Sequence, residues 1–210
     1  MNKMLLFLML IITFHAEIFG QTSEEFIQSG IEKENLKDYH GAIEAFSKAI
    51  EINPKIKGVY LNRSSAKYNL HDLVGSIKDL DQEITNYPLL PTPYFQRGIL
   101  KDVLRDYLGA IEDFDKLIAI DSTDALSYIC RGVEKQKLKN YLGALQDYTK
   151  AIETDSAIGQ GYFNRGVIKN ILGDIHGACY DFAKASELNV SEAYDLGASY
   201  KNYHQKFIEN

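Results

Sequence analysis

One phrase returns along the chain at a fixed interval: YLNRSSAKY (60–68), YFQRGILKD (94–102), YICRGVEKQ (128–136) and YFNRGVIKN (162–170). Its arginines, Arg63, Arg97, Arg131 and Arg165, stand 34 residues apart. A period of that length means a stack of one small supersecondary unit, which cannot bury its apolar face alone. The place of a residue within the period therefore decides what it can do.

Aligned on this step, five repeats span residues 23–56, 57–90, 91–124, 125–158 and 159–190. The fourth residue of each is aromatic (Phe26, Tyr60, Tyr94, Tyr128, Tyr162) and the eighth small (Gly30, Ser64, Gly98, Gly132, Gly166). The twentieth is small again, and the twenty-fourth bulky (Phe46, Leu80, Phe114, Tyr148, Phe182). Positions 4, 8 and 11 share one face of a first helix, and positions 20, 24 and 27 one face of a second. Small residues facing bulky ones let two antiparallel helices pack closely. Asn53-Pro54 and Tyr87-Pro88 stop the second helix in the first two repeats.

This pattern of length, small residues and aromatics resembles the tetratricopeptide repeat family. The resemblance runs from Ser23 to about Val190 and implies an all-α solenoid of five helix–turn–helix units. Ser122, Ser156 and Val190 replace the terminal proline, and Glu83 replaces a small residue, so the second repeat is expected to pack most loosely. Residues 191–210 are expected to form a capping helix, with Ala193, Leu196, Tyr200, Tyr203 and Phe207 on its apolar face. Glycine recurs at position 19 (Gly41, Gly75, Gly109, Gly143, Gly177), which predicts another backbone or side chain close by.

The arginines have two readings, an anion-binding ladder or a set of structural ion pairs. Sixteen residues after each lies an aspartate: Asp79, Asp113, Asp147 and Asp181. The first repeat lacks both members, having Ser29 and Ala45 there. Joint presence and joint absence favour pairing within a repeat. An unpaired buried arginine would be very costly, whereas a paired one roughly breaks even and fixes helix register. These eight residues are assigned to structure.

Chemistry finds little else to use. The net charge of −6 argues against nucleic acid, which needs clustered Lys and Arg. His40, His71, His176 and His204 never fall at ligand spacing, and His40 and His176 share a turn position. No phosphate loop or nucleophile elbow is present. Neither a cofactor nor catalysis is implied. Cys130 and Cys179 sit on different helix faces of different repeats, which opposes a disulfide. The phrase GDIHGACYDFAKASELN (173–189) resembles the last unit of many exported bacterial repeat proteins, although the second cysteine expected after it is missing.

Residues 1–20 stand apart from the repeats. Lys3, the apolar run MLLFLMLIITF (4–14) and the approach to Gly20 have the order of a secretory signal peptide, although Ile18 is large for a cleavage site. The run is short for a bilayer span, so the mature chain is expected to be exported, periplasmic or secreted, without a membrane-spanning segment; a short uncleaved N-terminal anchor is the alternative.

In the family the first helices line a concave groove. Carried over, position 5 places Leu61, Phe95, Ile129 and Phe163 there, and position 6 places Asn62, Gln96, Cys130 and Asn164. Side-chain amides can bond a peptide backbone without reading its sequence. The residues that clamp a carboxylate terminus in one subtype are apolar here. The resemblance thus implies a non-catalytic module that binds a protein or peptide. A structural subunit that spends the same surface on assembly is the alternative.

Overall fold

The computed structural model describes residues 22–191 and residue 193, which form ten α-helices. They are α1 Ser23–Asn35, α2 Tyr39–Ile52, α3 Val59–Asn69, α4 Leu73–Asn86, α5 Pro91–Val103, α6 Tyr107–Ile120, α7 Ala125–Lys137, α8 Tyr141–Thr154, α9 Gly159–Ile171 and α10 Ile175–Glu187. No strand occurs among the described residues. The helices fall into two compact units, one through Pro88 holding α1–α4, and one from Leu89 holding α5–α10. In each, the two helices of a repeat pack as a hairpin, and the second helix packs against the first of the next hairpin. The fold is the all-α solenoid expected.

Local chemistry sets the helix ends. Every second helix begins at a capping side chain: Asp38, Asp72, Asp106, Asn140 and Asp174 accept the N–H of Gly41, Gly75, Gly109, Gly143 and Gly177. Each satisfies an amide that the helix start leaves without an intrahelical partner. A Cβ on the glycine would strike that side chain, so the neighbour predicted at position 19 is the cap three residues back. The helices α2 and α4 end at Ile52 and Asn86, before the Asn-Pro and Tyr-Pro steps.

The small-against-bulky rule sets the packing. A Cβ built on Gly132 would lie 2.6 Å from the Tyr148 ring, so α7 and α8 approach as closely as they do only because of the glycine. Around that contact Tyr128, Ile129, Ala144, Ala151 and Ile168 close one core of the second unit. Another gathers Ile152, Tyr162, Ala185 and Ala193. Ala193 is fully buried; the rest of the expected cap, apart from Ser191, lies outside the described residues, as does the expected signal peptide. In the first unit, Ala42, Phe46, Ala49, Val59, Tyr60 and Ala66 form the core.

The second repeat departs from its neighbours in another way than the expected slack. Ser64 and Ser76 stand at its small positions and hydrogen-bond each other, 3.1 Å between hydroxyls. Glu83 is wholly buried, and its Oε1 accepts the Gly58 N–H at 2.7 Å. Gly58 is the N-cap of α3, has φ +87°, and offers no capping side chain. Glu83 supplies the missing cap from the partner helix.

Candidate functional site

Each arginine finds the aspartate sixteen residues on. Arg63 donates through Nε and Nη2 to Asp79 at 2.9 and 2.6 Å. Arg131 does so to Asp147 at 3.0 and 2.5 Å, and Arg165 to Asp181 at 2.8 and 2.7 Å. Arg97 makes the same fork on Asp113. The aspartates are buried and the guanidiniums half-buried, so the charges are matched out of bulk water.

Two more groups complete each site. The lysine one turn after the arginine bonds the same carboxylate: Lys67, Lys101, Lys135 and Lys169, at 2.7–2.9 Å. The tyrosine one turn before it lies under the guanidinium, 5.5–5.7 Å from ring centre to Cζ. The signal for both is the spacing Y-x-x-R-x-x-x-K, in which tyrosine and lysine recur as regularly as the arginine. In the first repeat, which has no arginine, Lys48 stands over Phe26 instead. Some arginines also reach the preceding hairpin. Arg63 Nη1 donates to Ser47 at 3.0 Å, and Arg131 Nη1 to the more exposed Asp115 at 2.6 Å. Burial pulls against the protonated form of Arg131, but its bonds to Asp147 and Asp115 outweigh this and hold it above its usual value. The arginines are spent inside the fold rather than offered to a ligand.

The residues assigned to the groove divide by position. At position 5, Phe95 meets Phe114 edge-on at 6.4 Å, Phe163 meets Phe182 at 5.8 Å, and Ile129 is buried. These side chains pack first against their own second helix. Leu61, Phe95 and Phe163 keep a partly exposed edge. At position 6, Asn164 accepts from Gln160 at 2.9 Å, whereas the half-buried amides of Asn62 and Gln96 engage no other group among the described residues. Gln96 and Asn164 belong to the second unit, Asn62 to the first.

Between Gln96 and Asn164 in sequence, Cys130 takes the amide's place on α7. Burial, with Asp124 and Glu134 nearby, pushes its thiol up to about 11, so it stays protonated and acts as a small apolar group. Cys130 and Cys179 are both free. On α5 and α7, Lys137 pairs with Asp102 and, at 3.1 Å, with Glu134. Burial raises the Glu134 carboxyl above its usual range. Beside the Arg–Lys–Asp sites, the first helices of the second unit thus carry apolar edges, neutral amides and the Lys137 ion-pair cluster. Among the described residues, no group of three or more His, Cys, Asp or Glu side chains is placed to bind a metal ion. No described helix is long and apolar enough to cross a membrane.

Comparison with known proteins agrees with the period. A family model described as tetratricopeptide repeat matches residues 27–56. No curated protein sequence matches the chain. Among crystal structures, a tetratricopeptide repeat protein from Parabacteroides merdae is 20% identical with a TM-score of 0.75, over 89% of this chain and 75% of that one. MamA is 20% identical with a TM-score of 0.74, over 83% and 96%. YrrB, described as a tetratricopeptide repeat protein with an unusual peptide-binding site, is 13% identical with a TM-score of 0.72, over 90% and 97%.

Proposed function

Because this chain is a tetratricopeptide repeat protein, we propose that it is a non-catalytic scaffold whose first helices bind an extended segment of a partner protein. One observation carries this reading. The Gln96 amide on α5 is half-buried, yet it has no hydrogen-bonding partner among the described residues, beside the exposed Ile99 one turn on. An amide held near an apolar edge can donate to and accept from a peptide backbone, while the apolar edges supply burial without demanding a sequence. The peptide-binding site named for YrrB supports the same use of this fold. The proposal extends to place: residues 1–20 read as an export signal, so the protein works outside the cytoplasm.

Pull-down from an envelope fraction, and then calorimetry with peptides of the captured protein, tests the reading. A monomer that binds one such peptide with micromolar or better affinity supports it. A stable oligomer with no peptide binding points instead to a subunit that spends this surface on assembly. N-terminal sequencing of the mature protein tests export, which an intact Met1 in the cytoplasm would refute.

A further inference from the structure

In the second unit each hairpin turn lies at the same end of its helices and presents leucines to solvent. Leu104, Leu138 and Leu172 close the first helices and are 41–46% exposed; Leu108 and Leu142 open the next helices and are 66% and 67% exposed. Between these leucines stand Arg105 and Lys139, with φ of +63° and +61°. That left-handed conformation favours glycine, and the third turn has it, Gly173 at +85°. A cation retained where the backbone would take glycine at lower cost points to a use for its charge. Asp106 and Asp174 keep their charge as helix caps and Asp102 pairs with Lys137, whereas among the described residues neither Arg105 nor Lys139 is ion-paired. The first unit repeats the combination in Leu36, 81% exposed, beside Lys37 at φ +62°.

We propose that this turn edge seats on an anionic phospholipid surface, with Leu104, Leu108, Leu138 and Leu142 entering the headgroup layer and Arg105 and Lys139 meeting its phosphates. The chemistry is that of interfacial binding, in which a few alkyl groups dip into the acyl boundary while neighbouring cations answer the negative surface. A peptide partner would match a groove, whereas a row of leucines and cations along one edge matches a plane. The proposal is independent of the peptide-binding reading, which concerns another face.

Flotation of the full chain with vesicles of phosphatidylcholine, with and without phosphatidylglycerol, is the test. The parent is expected to bind the mixed vesicles and to be released by salt. Arg105→Gly with Lys139→Gly removes the charges while suiting the backbone, so it folds at least as well. With two cations withdrawn from an anionic surface, it should bind about thirty-fold more weakly. Leu108→Ser with Leu142→Ser should lose roughly tenfold or more, whereas Leu126→Ser, an exposed leucine at the opposite end of α7, should lose nothing. Binding that ignores phosphatidylglycerol, or that survives either double substitution, overturns the proposal. So does a parent that leaves vesicles alone and dimerises through these leucines.

Discussion

Glu83 on α4 accepts the backbone N–H of Gly58 at 2.7 Å, twenty-five residues back at the start of α3. Its Oε2 is buried without a hydrogen-bond partner among the described residues. Burial raises this carboxyl above its usual value, while the amides of Gly58, Tyr60 and Leu61 pull the other way. The folded protein therefore binds this proton more readily than the unfolded chain. Stability tied to Glu83 is fully present below the unfolded carboxyl value and is lost as pH rises through the folded one. Chemical unfolding from pH 7 down to about 5 should show a gain in the parent that is smaller in Glu83→Gln, where Glu134 is the raised carboxyl that remains. Equal pH dependence in the two proteins would contradict the assignment.

The double cation on each aspartate changes what a single substitution does. In Arg131→Met, Asp147 keeps Lys135 at 2.8 Å, so the loss should be moderate, about 1–3 kcal/mol. Lys135→Met should cost less, because Arg131 retains the fork. Both changes together leave the buried carboxylate uncompensated, and the loss should approach about 3–5 kcal/mol, exceeding the sum of the two. Thermal and urea unfolding of the three variants measure this. Simple additivity would mean that the two cations act independently.

Replacing Gln96 and Asn164, both of the second unit, together by Ala should weaken partner binding and leave unfolding nearly unchanged. Among the described residues neither bonds another helix, and a ligand-bonded amide contributes about 0.5–1.5 kcal/mol. Two such losses amount to a roughly fivefold or greater drop in affinity, read by calorimetry. Parent-like affinity would remove the amides from the site.

Phe95→Ala and Phe163→Ala should lower stability by about 2–4 kcal/mol, because each ring packs on the aromatic of its second helix. Circular dichroism melts decide the matter. Parent-like melting with lost binding would place both rings in the site alone.

Much of the fold is legible in the residues alone, and the reason is repetition. Arg131 and Asp147 can be matched because their spacing recurs in three other repeats and vanishes as a pair from the first. Lys135 repeats as faithfully, but a carboxylate already paired gives no reason to seek a second cation. Glu83 reads as a packing fault because its partner is the uncapped end of α3, a local deficiency answered from another helix. Phe95 and Phe163 are ambiguous for a geometric reason. Helical period assigns a face, but not how much of that face the hairpin covers. The division after Pro88 leaves no mark, since the period crosses it unbroken.

The sixteen-residue span of each buried ion pair has a consequence for how the protein is made. Helix pairs this local close in microseconds once their residues are free, while ribosomes add about 5–20 residues per second. A whole repeat therefore takes seconds to synthesise and far less to shut. Each arginine can reach its aspartate before the following hairpin has emerged, and the hairpins are able to close in the order in which they emerge. A lesion in one hairpin then stalls the hairpins made after it and spares those already closed.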